Sequence, residues 1–107
     1  MADARALLVL LSGSPAAPGA RDVLGRAGGE RRGGREVRVL LTADGLTWAG
    51  DPLLRDLMRA GADVSLCSRS ARDQGWTAAS TPDHVRWSSV ASFLQGHVSH
   101  DLWTVLP

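Results

Sequence analysis

The chain has 107 residues, a single cysteine, and twelve basic against eleven acidic side chains for a formal charge of +1. That length suits one domain over residues 1–107, able to bury roughly 65% of its unfolded surface without staples or metal. Its 44% apolar and 21% charged content excludes collagen-like, disordered and coiled-coil chains, and a lone cysteine excludes an internally disulfide-bonded miniprotein.

The first element is the continuously apolar run Ala6–Leu11, which ends at the loop signal Ser12-Gly13-Ser14-Pro15. With Arg5 before it and Ala16–Ala20 after it, the run superficially mimics a secretory leader. Six apolar residues fall short of the about 7–15 a leader needs, and Asp3 spoils the basic start, so a buried strand is expected instead. No stretch approaches the ~20 apolar residues of a membrane span. A reducing cytoplasm is the expected location, with no membrane partner.

A helix follows, with Ala20, Val23, Leu24 and Ala27 at helical spacing. Gly28 and Gly29 each cost about 1 kcal/mol inside a helix, so it either stops there or runs on to Arg32 before Gly33-Gly34. Six arginines lie between Arg21 and Arg38, but Asp22, Glu30 and Glu36 are interleaved and no aromatic residue stands nearby for base stacking. All twelve basic residues are arginine, and lysine, isoleucine, asparagine and tyrosine are missing, types that share AT-rich codons. This is the coding bias of a GC-rich bacterial genome, in which arginine often stands for any basic surface residue. No nucleic-acid partner is expected.

Glu36–Thr42 starts in alternation, turns solidly apolar and predicts a second strand, followed by a loop over Thr42–Gly50. Asp51 to Ala60 is the best helix: Asp51 is a good N-cap, Pro52 suits the first helical position, and Leu53, Leu54, Leu57 and Met58 form one stripe before Gly61. Val64-Ser65-Leu66 leads to Cys67 at a strand end. A short helix is expected after Ser70, where Ser70–Asp73 resembles a capping box with Asp in place of Glu. His84–Trp87 predicts a half-polar strand, Ser88-Ser89 starts a helix with Val90, Phe93, Leu94 and His97 on one face, and Leu102–Leu106 closes a βαβαβαβαβ order. Strands apolar on both faces and separated by helices predict a three-layer α/β/α domain with a mostly parallel five-stranded sheet.

In such a sheet reactive groups gather at the carboxyl ends of strands, here Ser12–Pro15, Thr42–Gly50 and Cys67–Ser70. Cys67 ends a strand just before a helix, where the helix dipole favours an anion by about 0.3–1 kcal/mol. Arg69 or Arg72 within one turn adds positive charge and raises the share of nucleophilic thiolate. Free cysteine is also among the most buried residue types, so the pattern alone leaves packing and chemistry both open.

Residues 62 to 76, ADVSLCSRSARDQGW, resemble the segment of the DsrE/DsrF-like sulfur-relay family in which a strand ends in cysteine, followed by small polar residues and an Arg-Gly pair. VRVLLTADGL at 37–46 is similar to that family's second strand and Thr-x-Asp-Gly turn; Ala6–Ser12, Ser88–Leu94 and His100–Trp103 also fit its layout. The resemblance covers nearly the whole chain. It implies a DsrE-like (flavodoxin- or Rossmann-like) fold, assembly into trimers, hexamers or paralogous complexes, and Cys67 as a carrier of persulfide sulfur between donor and acceptor proteins. Around Cys67 it implies stabilising contacts from Ser68, Arg69, Ser70 and Arg72, with Ser12, Gly13, Thr42, Asp44 and Gly45 in the adjoining loops. Gln74 stands where the family usually has arginine, and the segment 76–85 does not align. A second reading is a binding or assembly subunit of the same fold in which Cys67 only packs.

No cofactor is expected, because neither G-x-G-x-x-G nor a Walker loop occurs. His97-x-x-His100 lacks the third and fourth ligands zinc needs unless His84 and Cys67 join, so no metal is expected. No cysteine-protease signature surrounds Cys67, and Asp44-Gly45 lacks the acidic pair of a receiver domain after the first strand; turn chemistry accounts for it, both residues tolerating positive φ. Trp48 and Trp76, in or near the strand-end loops, are assigned to a subunit contact ahead of the core or a ligand wall, and Trp103 to the core.

Overall fold

A computed structural model describes residues 5–82, 85–95 and 99–107. Five parallel strands, β1 (Ala6–Leu11), β2 (Val37–Leu41), β3 (Asp63–Cys67), β4 (Arg86–Ser88) and β5 (His100–Val105), form one sheet in the order β4-β3-β2-β1-β5. The chain winds from β1 outward to β4 and then crosses back to β5 beside β1. The crossovers out to β3 pack on one face: α1 (Ala20–Arg32), a 3₁₀ segment (Ala43–Gly50) and α2 (Pro52–Arg59), with Ala71 of α3 (Ser68–Asp73) on the same side. The return crossover contains α4 (Val90–Gln95), which covers the other face. This is the expected three-layer arrangement, and its asymmetry follows from the winding, because right-handed crossovers running in one direction all land on one side.

The core is correspondingly lopsided. Leu7, Val9, Leu11, Val37, Val39, Leu41, Val64 and Leu66 point from the sheet into the larger cluster with Leu24, Leu46, Trp48, Leu54 and Leu57. On the second face, among the described residues, Leu8, Leu40 and Phe93 are buried together, with Leu10 and Leu94 against them. Leu102 in β5 stays 44% exposed.

Helix α1 runs through Gly28-Gly29 to Arg32. Gly28 is buried there, and tertiary packing of the apolar stripe outweighs the glycine cost. Beyond its end, buried Arg35 ties the layers together: it pairs with Glu30 and Asp101 and donates Nε–H to the Arg5 carbonyl at 2.8 Å. Helix α2 starts as expected, with the Asp51 carboxylate accepting from the Leu53 amide at 2.9 Å. Two boundaries differ. The last strand begins at His100, in register with Ala6, because the Arg35–Asp101 pair lies alongside β1. The fourth begins at Arg86, so His84 of the expected strand lies outside the described residues.

Candidate functional site

The parallel register brings Thr42, at the end of β2, and Ser88, in β4, to either side of Cys67. Cys67 keeps extended backbone (φ −68°, ψ 118°) and is itself the N-cap of α3. The helix therefore begins at Ser68, three residues before the expected start, and Ser70–Asp73 does not act as a capping box. The Ser70 hydroxyl is drawn elsewhere: its Oγ lies 3.0 Å from Thr42 Oγ1 and accepts from the Ala43 amide at 3.0 Å.

An N-cap side chain lies near the first free amides of its helix, although the Cys67 thiol makes no capping hydrogen bond to them. Burial pushes the Cys67 thiol up, but the Ser70 amide, the Ser70 and Thr42 hydroxyls and the Arg69 amide outweigh it, and the thiol is held below its ordinary value. These are the donors a thiolate, or the terminal sulfur of a persulfide, needs. Because the Ser70 Oγ already accepts from Ala43, its own proton is left to donate.

The expected guanidinium contribution is not among these groups. Arg69 and Arg72 side chains are exposed, and Arg69 acts through its backbone amide. Ser68 donates its hydroxyl to the Ser88 carbonyl at 2.8 Å, fastening α3 to β4 rather than turning to the sulfur. The sulfur is not open either: Cys67 is 8% exposed.

Two residues that hold this arrangement carry little sequence signal. Ala43 has φ +50°, a left-handed backbone that costs a non-glycine residue about 1–2 kcal/mol. Its amide is held by Ser70 and its carbonyl accepts from Gln74 Nε2 at 2.8 Å. Gln74 thus latches the loop beside Cys67. The positive φ falls on Ala43, one residue before Asp44-Gly45, but the pair does belong to a turn, which the Gly45 amide closes by donating to the Thr42 carbonyl at 2.8 Å. Asp44 is exposed and accepts from Thr47 Oγ1 through its backbone carbonyl at 2.7 Å. Gly45 is needed for closeness: a Cβ there would lie 1.7 Å from the Leu11 carbonyl oxygen.

The Ser12–Pro15 loop does not converge on the sulfur. Ser12 and Gly13 both donate their amides to the Val105 carbonyl at 2.9 Å, and a Cβ on Gly13 would meet the Leu106 carbonyl oxygen at 2.3 Å. Backbone thus fills the crevice between the ends of β1 and β5, the point where the winding reverses and a ligand would ordinarily sit. Trp48 is fully buried, donating Nε1–H to the Gly13 carbonyl at 2.9 Å beneath the Arg21 guanidinium. It is a core residue, not a subunit contact or ligand wall, because its indole fills the space between β1 and α2. Trp76 is half-buried against the same core, as is Trp103. Among the described residues no three His, Cys, Asp or Glu side chains gather as a metal site; His84 and His97 lie outside those residues. Among the same residues, no helix is long and apolar enough to cross a membrane.

The architecture is a DsrE-like α/β fold with its cysteine at the end of the third strand. The sequence matches no protein-family model and no curated protein. Solved structures do match: the ychN protein from E. coli is 18% identical with a TM-score of 0.75, covering 95% of this chain and 99% of its own. A protein of unknown function from Methanobacterium thermoautotrophicum, MTH1491, is 14% identical with a TM-score of 0.64 over the same shares. At those identities the likeness is one of fold.

Proposed function

We propose that this protein is a cytoplasmic sulfur carrier in which Cys67 alternates between thiolate and persulfide. The observation that carries the reading is the place of Cys67 as N-cap of α3 at the end of β3, beside the hydrogen-bonded Thr42 and Ser70 hydroxyls, where the neighbouring amides and hydroxyls hold its thiol below its ordinary value. In the loading step the Cys67 thiolate attacks the outer sulfur of a donor persulfide. A Cys67 S–S bond forms, the donor's S–S bond breaks, and the donor leaves as its thiolate. In the unloading step an acceptor thiolate attacks the outer sulfur on Cys67 and releases the Cys67 thiolate. Neither step has net oxidation or reduction. Because Cys67 is the only cysteine, no internal disulfide can resolve the persulfide, and sulfur leaves to a second molecule. Ser70, Thr42 and the Arg69 amide stabilise the charge; Ser68, Gln74 and Ala43 hold them in place. Donor and acceptor proteins, and assembly as a trimer, hexamer or paralogous complex, belong to this reading.

Intact mass spectrometry after treatment with a small-molecule persulfide donor tests it. The expected result is a gain of one sulfur that is absent from Cys67→Ser and returned by an added thiol. A protein that never gains the sulfur, and whose thiol alkylates slowly near neutral pH, refutes it. The low exposure of Cys67 favours a second reading, a binding or assembly subunit in which the thiol only packs. That reading expects a slow, buried thiol and assembly unaffected by Cys67→Ser.

A further inference from the structure

On the α4 face of the sheet, toward the amino ends of β2, β3 and β4, lies a cavity of about 290 Å³ lined by Arg38, Asp63, Ser65, Arg86, Ser88 and Ser92 together with the Phe93 ring. The register explains how the polar groups meet. Arg38 stands beside Asp63 and Ser65 beside Arg86, so alternate residues of three adjacent strands project to the same side.

The hydrogen-bonding capacity of this cavity is one-sided. Its carboxylate, Asp63, is committed: Oδ2 accepts from Arg38 Nη2 at 3.1 Å, and Arg86 Nη2 reaches Oδ1 at 2.8 Å and Oδ2 at 2.6 Å. Arg86 spends only that one nitrogen. Its Nε–H and Nη1 hydrogens, and the hydroxyls of Ser65, Ser88 and Ser92, have no protein partner among the described residues. What converges is therefore an open guanidinium edge and three hydroxyls able to donate, while the one carboxylate is tied to two guanidiniums. A guanidinium edge takes two oxygens of one oxyanion in parallel, and hydroxyls supply donors to the rest. The volume is several times the roughly 30 Å³ share of one water, so it holds more than an inorganic ion, and the Phe93 ring offers an apolar wall to a carbon skeleton.

We infer that this cavity is a binding site for a small organic anion, its oxyanion head on Arg86 and the serines and its carbon portion against Phe93. The site adjoins the cysteine without including it: Ser88, which lines the cavity, is the register partner of Cys67. Cys67 does not line it, so it persists whether or not the cysteine carries sulfur.

The test is an amide-resolved NMR titration of the full chain at low ionic strength with three probes: benzoate, phenyl phosphate and inorganic phosphate. The expected result is saturable shifts confined to residues around Ser65, Arg86–Ser88 and Ser92–Phe93. At least one organic probe should bind more tightly than inorganic phosphate, and the better of benzoate and phenyl phosphate identifies the head group. Arg86→Gln, which leaves Asp63 paired with Arg38, should weaken binding roughly tenfold or more, the scale of a lost charged hydrogen bond. Arg55→Gln, an exposed arginine on α2, and Cys67→Ser should leave affinity unchanged. Shifts that rise linearly without saturation, that spread over all the arginines, or that survive Arg86→Gln at full strength would overturn the assignment. Equal binding of all three probes would remove the role of Phe93, and loss of binding in Cys67→Ser would move the site to the cysteine.

Discussion

Replacing Gly45 with alanine tests whether the Thr42–Gly50 loop is built around close packing. Its Cβ would lie 1.7 Å from the Leu11 carbonyl oxygen and 2.6 Å from the carbonyl carbon, both backbone atoms of the interior strand β1. Relief to ordinary contact beyond 3.4 Å requires the loop or the end of β1 to move. Leu11 O also accepts the Thr42 amide at 3.0 Å, so the displacement strains that bond along with the clash. Overpacking of this kind costs about 1–3 kcal/mol and a lost hydrogen bond about 1 more, which makes a total near 3 kcal/mol. Against a whole stability of roughly 5–15 kcal/mol, with a urea slope of about 1–3 kcal/mol per molar, the midpoint should fall by about 1–3 M. Gly50→Ala, which meets nothing within 4 Å, serves as the control and should stay within about 0.5 kcal/mol of the parent. Gly13→Ala should cost less than Gly45→Ala, because the Leu106 carbonyl it meets belongs to a 70% exposed residue that can give way. Urea denaturation followed by tryptophan fluorescence reads all three. A Gly45→Ala protein as stable as the Gly50→Ala control would refute the packing argument.

Two further outcomes follow from charge. The Cys67 thiol is held below its ordinary value although burial works against it. Relative to Cys67→Ser, the parent should therefore gain stability as pH rises through that lowered value. The gain is complete above the ordinary thiol value and vanishes as pH falls through the lowered one; urea midpoints across a pH series check it, and a difference of opposite sign would mean that burial dominates. The Arg21 guanidinium hydrogen-bonded to Asp51 is the main cause that holds its carboxyl below the usual range, with burial opposing and the Leu53 amide assisting. Asp51→Ala should cost about 1 kcal/mol, chiefly through the lost cap, and lower the melting temperature by about 4–8 °C. Asp51→Asn should keep most of that cap, and only the parent's small Arg21 contribution should fade as pH drops through the lowered carboxyl value. An Asp51→Ala melting curve that overlays the parent would refute the cap.

Legibility in the sequence tracked how local the cause was. The helix from Asp51 could be foreseen because cap, first-turn proline and apolar stripe all lie within ten residues. The strand ending at Cys67 was equally plain, since Leu66 and Cys67 close an apolar run before a polar stretch. The start of α3 was misplaced because Ser70 looks like a cap in isolation, while its hydroxyl is captured by Thr42 and Ala43, 28 and 27 residues away. Trp48 was assigned outward for the same reason. Nothing near it in sequence announces the Gly13 carbonyl that its indole reaches, 35 residues upstream. The arginines flanking Cys67 suggested a charge effect, whereas the structure supplies the donors from backbone and hydroxyls.

The strand order also governs when the molecule can come together. β1 is hydrogen-bonded on one side to β2 and on the other to β5, whose residues lie 94 positions downstream of their partners in every register pair. A nascent chain emerging from the ribosome can assemble β1 through β4 early, but the central ribbon keeps one bare edge until His100–Val105 has appeared. Closing a loop of that span is entropically slow. Refolding should therefore end on the docking of the last strand, and the interval before it is when an exposed β1 edge is most vulnerable to pairing with another chain.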